Sequence, residues 1–110
     1  GERTDIHVDA ISPNGDKITA IIEVKGNWHT DLKKAMKDQL AERYLTNSST
    51  RSGIYLVAWF ESNWWSKEDS RLQKRPFKKL LDATEFFNAQ ATILNNKNYY
   101  IKPYVMKLPY

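Results

Sequence analysis

An α/β fold with a mixed central sheet and flanking helices is predicted by three observations. Two strand-like runs are separated by turn residues, so they pair as a hairpin. A helical pattern then leads into a continuous apolar run, the signature of a strand–helix–strand unit. A second, longer helical pattern leads into a last β-rich stretch. The order strand, strand, helix, strand, helix, strand runs through the 110 residues without repeat, low-complexity segment or linker, so residues 1–110 are expected to form a single domain.

Each element has its own warrant. In TDIHVDAI (4–11), Ile6, Val8 and Ala10 alternate with Asp5, His7 and Asp9, the pattern of a half-buried strand. SPNGD (12–16) is turn chemistry, with Asn14-Gly15 suited to positive φ. KITAIIEVK (17–25) is the second strand, ended by Gly26. Thr30 is placed to cap a helix over 31–45, in which Leu32, Ala35, Met36, Leu40 and Tyr44 form the inward stripe. NSSTRSG is a polar loop, and IYLVAWF (54–60) is apolar enough to be a strand covered on both faces. Pro76 suits the first turn of a helix through about Ile93, with Phe77, Leu80, Leu81, Ala83, Thr84 and Phe87 inward. NNKN makes a turn. YYIKPYVMKL is a last strand, at an edge because Pro103 cannot donate to a ladder.

Composition narrows the function classes. The chain has no cysteine, which excludes disulfide frameworks, thiolate zinc sites and cysteine nucleophiles. No segment is long and apolar enough to span a bilayer, and no signal peptide is visible, so a cytoplasmic protein is expected. The net charge of +4 favours a polyanionic partner. Four tryptophans and six tyrosines serve a core, an interface or base stacking equally well.

The chemistry concentrates at the end of the second strand. Glu23 and Lys25 point the same way, and a turn at 12–16 pairs residues whose numbers sum to about 28–30. Asp5 then lies beside Glu23 and Lys25, whereas Asp9 is about 13 Å further along at strand rise. Two carboxylates so close repel unless a cation offsets them, and Lys25 or a divalent metal with oxygen ligands does so. Such a metal holds and acidifies a water and balances charge on a phosphodiester. The alternative is a surface salt-bridge cluster. Gln39 falls inside the apolar stripe of the first helix and needs partners there: the Glu23–Lys25 groups, or a nucleotide bound by them, or a backbone carbonyl at the sheet edge.

These residues resemble the PD-(D/E)XK, or restriction-endonuclease-like, nuclease superfamily: Asp5 in RTDIHV, Glu23 and Lys25 in IIEVKG, and Gln39 in QLAERYL. The likeness spans the hairpin, the first helix and the IYLVAWF strand. It implies a restriction-endonuclease-like core, with Asp5, Glu23 and the Val24 carbonyl holding Mg²⁺ or Mn²⁺ and Lys25 as catalytic lysine. It implies metal-dependent phosphodiester hydrolysis, usually of DNA, and a role such as the effector end of a bacterial defence protein. Thr4 stands where the motif name has proline, and Glu2 is no substitute for a further ligand. The Gln39–Tyr44 spacing differs by one residue from that of some exonuclease branches. The family core usually opens with a helix and strand that have no counterpart ahead of Asp5. The resemblance therefore implies the C-terminal part of a larger protein, completed by further domains or a homodimer.

Around that centre, His29 with Trp28 is placed at the site's mouth, and Arg43 and Tyr44 follow Gln39 toward a phosphate; the other reading makes Arg43 a solvent-facing helix residue. His7 shares the Asp5 face, as substrate contact or structural residue. KEDSRLQKRPFKK either tracks a nucleic-acid backbone or forms a solvated face. Trp64 and Trp65 stack bases, seal an interface or pack under the loop. The alternative function is an inactive nuclease-fold domain that binds nucleic acid or a protein partner.

Overall fold

The Asn14-Gly15 turn folds the first two strands onto each other in the computed structural model of the chain, which describes residues 5–61 and 68–108. Gly15 takes a positive φ of 85°, and Ser12 N–H donates to the Asp16 carbonyl at 2.8 Å to close the hairpin. Strands β1 (Asp5–Ile11) and β2 (Lys17–Gly26) pair antiparallel, with Asp5 opposite Glu23 and Asp9 opposite Thr19. Strand β3 (Ser52–Phe60) runs parallel to β2, and β4 (Tyr100–Leu108) runs parallel to β3. The sheet is therefore mixed, in the order β1-β2-β3-β4, and the Pro103 strand lies at an edge as expected.

Both crossovers step across the sheet in the same direction, so right-handed connections place both helices on one face. Burial follows: Ile21, Glu23 and Lys25 of β2, Tyr55, Val57 and Trp59 of β3, and Ile101 of β4 are buried at alternate positions. They form one core with Leu32, Met36 and Leu40 from the first helical segment and Ala83, Phe87 and Leu94 from the second. The other face carries Ile22, Val24, Ile54, Leu56 and Phe60, all half-buried. Among the described residues, helices cover one face of strand β3 and none covers the other. The apolar side of β1 lies on the open face, where Ile6 and Val8 are 50% and 43% exposed, so β1 is not half-buried.

The first helix differs in type from the expected one. Met36–Leu45 is a π-helix, continued at its end by the Thr46 N–H donating to the Ala41 carbonyl at 3.0 Å. Wider turns bury Met36, Leu40, Ala41 and Leu45, whereas Gln39 and Tyr44, predicted inward at α spacing, are half-buried. Its entry is turned, not capped by Thr30: Asp31 N–H donates to His29 Nδ1 at 3.0 Å. A short helix, Ser70–Gln73, interrupts the charged connection and is capped by the Asp69 carboxylate. The long helix, Leu80–Asn95, starts four residues after Pro76 from an extended Lys79 and buries Ala83, Phe87, Ala91 and Leu94. Leu81, expected inward, is exposed. Phe77 reaches the same core from outside the helix, its ring 5.3 Å from Phe86 and 5.7 Å from Phe87. No helix among the described residues is long and apolar enough to cross a membrane. Trp64 and Trp65 lie outside the described residues.

The π-helix approaches β3 closely at Gly53, where an added Cβ would lie 3.1 Å from both Leu40 Cδ1 and Leu45 Cδ1. Gly53→Val should therefore lower stability by about 1–3 kcal/mol through overpacking. Urea unfolding would show a reduced midpoint, and an unchanged midpoint would mean the helix is less tightly seated.

Candidate functional site

β2 is a central strand, and its helix-covered face ends in two charges. Glu23 is 1% exposed and Lys25 8%, with Lys25 Nζ 3.3 Å from Glu23 Oε1. Alternation along the strand puts them on the same side, and the core helices deny them bulk water. A buried ion pair is weak evidence for stability, because desolvation offsets the Coulomb attraction. Its position is more informative. Asp5 sits directly opposite Glu23 in the hairpin ladder, and paired antiparallel residues share a face with Cβ atoms about 5 Å apart. The Asp5 side chain lies outside the described part of the structure. Among the described residues no group of three His, Asp or Glu side chains converges.

Asp9 is excluded from this constellation and occupied elsewhere. Thr19 Oγ1 donates to Asp9 Oδ1 at 2.6 Å, and Lys17 Nζ lies 3.3 Å from Asp9 Oδ2. The Thr19 hydroxyl, and secondarily Lys17, hold this carboxyl below the usual range.

Immediately beyond Lys25 the chain is pinned. The buried Asn27 continues the β2–β3 ladder with both its backbone and its side chain. Its N–H donates to the Ala58 carbonyl at 3.0 Å, its Nδ2 donates to the Phe60 carbonyl at 3.1 Å, and its Oδ1 accepts from Phe60 N–H at 3.2 Å. Gly26 leaves room for Trp28: a Cβ there would lie 2.3 Å from the indole, whose ring centroid is 5.6 Å from that of Phe60. Tyr55, the β3 partner of Glu23, donates from Oη to the Leu32 carbonyl at 2.7 Å and so ties the helix entry to the site. Burial, with the negative charges of Glu23 and Asp31, pushes its phenol far above the usual tyrosine range, so Tyr55 is an anchor and not a base. Asn27 and Tyr55 were not singled out from the sequence. An asparagine after a strand-ending glycine reads as turn chemistry, and a tyrosine in an apolar run reads as core.

A cleft of about 620 Å³ opens at this end of the sheet, lined by Val24, Lys25, Gly26, Trp28, His29 and Phe60. It lies at the carboxyl ends of the parallel strands β2 and β3, where open α/β sheets bind ligands. His29 is among the residues that line this cleft. Gln39, Arg43 and Tyr44 do not line it. The Gln39 side chain forms no hydrogen bond among the described residues, Arg43 is exposed, and Tyr44 packs against the core. Arg71 of the short helix lies 5.5 Å from the Trp28 ring and is paired with Asp69 at 2.8 Å.

Residues 4–62, more than half of the chain, match the family DUF8371, described as a domain of unknown function. The chain belongs to that family. The matched segment holds the hairpin, the π-helix and β3, and hence Asp5, Glu23, Lys25 and Asn27. No curated protein and no solved structure matches the chain.

Removing one member of the buried pair should expose its cost. Lys25→Met should destabilise the fold by about 3–5 kcal/mol, while the double variant Glu23→Leu/Lys25→Met should recover most of that loss. Denaturant unfolding of the two variants makes the comparison. Asn27→Leu, which leaves Phe60 N–H and C=O unmatched, should cost about 1–3 kcal/mol in the same measurement.

Proposed function

We propose that this chain is the acidic hairpin, helix and crossover of a PD-(D/E)XK-type nuclease core, a metal-dependent phosphodiesterase acting on nucleic acid, DNA foremost. The observation that carries the reading is the buried Glu23–Lys25 pair at the carboxyl end of β2, with Asp5 the ladder partner of Glu23 and Lys25 at the edge of the neighbouring cleft. The antiparallel hairpin followed by a parallel crossover supports the same core.

The donor set suits a hard divalent cation. Asp5 and Glu23 would supply carboxylate oxygens and Val24 its carbonyl, with water and phosphate completing the shell. Bound there, Mg²⁺ or Mn²⁺ supplies an acidified water and charge for the phosphodiester. Lys25, an ammonium paired with Glu23, would orient the attacking water and balance charge that develops on phosphorus. Trp28 and Phe60 shield the cleft from bulk water. Asn27 fixes the backbone on which Lys25 and Val24 ride, so the donors hold their positions during reaction. Arg71 lies beside Trp28 at the cleft, and with the basic residues that follow it in sequence, Lys74, Arg75, Lys78 and Lys79, would contact phosphates.

Plasmid, linear duplex, single-stranded DNA and RNA incubated with Mg²⁺ or Mn²⁺ provide the test. Cleavage should require the metal, and Glu23→Gln and Lys25→Ala should each reduce it about 100-fold or more. Circular dichroism confirms that the variants fold. Cleavage persisting in both variants would overturn the site assignment. Metal-independent binding of nucleic acid without cleavage by any folded form would assign the chain to the inactive nuclease-fold class.

A further inference from the structure

The opposite end of the sheet holds a second concave site. The amino ends of β2, β3 and β4 and the polar loop before β3 line an open concavity of about 440 Å³, whose walls include Lys17, Thr19, Ser49, Arg51, Ser52 and Tyr100. Strand rise separates it from Lys25 by about 20 Å.

Arg51 dominates its chemistry. Its Nε donates to the Asn98 carbonyl at 2.8 Å and its Nη2 to the Lys97 carbonyl at 3.2 Å, while its guanidinium stacks on Tyr99 at 4.1 Å. Asn98 adopts a positive φ of 69° in the turn that offers these carbonyls. Carbonyls and a ring hold the guanidinium but do not neutralise it, and it has no carboxylate partner among the described residues. Its entropy of immobilisation is met by the fold, and donors remain for a further acceptor. Lys17 lies across the cavity with one carboxylate, Asp9, at 3.3 Å, and that carboxylate also accepts from Thr19. The hydroxyls of Ser49, Ser52 and Tyr100 make no hydrogen bond among the described residues. The loop itself is braced: Thr50 Oγ1 donates to the Thr19 carbonyl and accepts from Ser52 N–H, and Thr50 N–H donates to Ser48 Oγ.

We propose that this cavity is an anion site for a phosphate group, with Arg51 and Lys17 as the cations and the three hydroxyls as neutral donors. A tetrahedral dianion or a phosphodiester matches that set: a forked planar donor, an ammonium and hydroxyls lining one concavity. The same chemistry serves a free phosphorylated small molecule or the backbone of a nucleic acid. The site stands apart from the Glu23–Lys25 cleft and does not depend on what that cleft does.

Amide chemical shifts recorded during titration with inorganic phosphate, without metal, test it. The expected perturbations cluster at residues 17–19, 49–52 and 100. Lys17→Gln, a change at an exposed side chain, should weaken binding about fivefold to tenfold without altering the melting temperature, and Arg51→Gln should weaken it more. Perturbations that are absent or centred elsewhere would overturn the proposal, as would unchanged affinity in the folded Lys17→Gln protein. A nucleoside monophosphate and a short single-stranded oligonucleotide are titrated next. Tighter binding of the first at these residues identifies a small-molecule phosphate, and tighter binding of the second identifies a nucleic-acid backbone; either order supports the site.

Discussion

A carboxylate and an ammonium held almost wholly out of water on the inner face of β2 set the terms for what surrounds them. Each costs several kcal/mol to desolvate, and their mutual attraction at 3.3 Å offsets this only if neither can drift. The neighbouring structure limits drift from each side. Asn27 fastens the strand end to β3, Tyr55 fastens β3 to the helix entry through Leu32, and Gly26 admits the Trp28 ring against the backbone. These contacts would be excessive for a surface ion pair. They suit a pair whose geometry has to be kept.

The hairpin and its register were legible because their causes are local. Asn14-Gly15 fixes the turn, the turn fixes the pairing, and the pairing selects Asp5 over Asp9. The first helix was misread because its cause is tertiary. Its sequence fits an α period as well as a wider one, and only packing against Gly53 and Ile21 decides for Leu40, Ala41 and Leu45. That choice moves Gln39 and Tyr44 off the inward stripe, so the residues that α spacing had aimed at the site do not line it. The short helix was missed for a related reason: Asp69 and Arg71 make a self-contained cap that a charged run conceals.

Coverage of the sheet was misjudged from composition. IYLVAWF is apolar at every position, which two helical layers would explain, yet β2, β3 and β4 are parallel neighbours in chain order and their crossovers share one face. Topology, not hydropathy, determines which side is covered. The open face keeps Ile22, Val24, Ile54 and Leu56 half-buried through neighbouring side chains on adjacent strands.

Charge balance bears on how the cleft would act. Lys25 is matched by Glu23, and Asp5 opposite adds a negative charge, so these groups together do not attract a phosphodiester. Docking an anion there requires positive charge from elsewhere. On the proposed reading, Arg71 beside Trp28 and the basic residues that follow it in sequence would supply a diffuse, salt-screened share. They cannot supply charge between two carboxylates. On the proposed reading a divalent cation does that, and affinity for nucleic acid and competence to cleave it then arise from different residues. Neutralising Lys74 or Lys78 would weaken the first, whereas altering Glu23 would remove the second and relieve part of the repulsion.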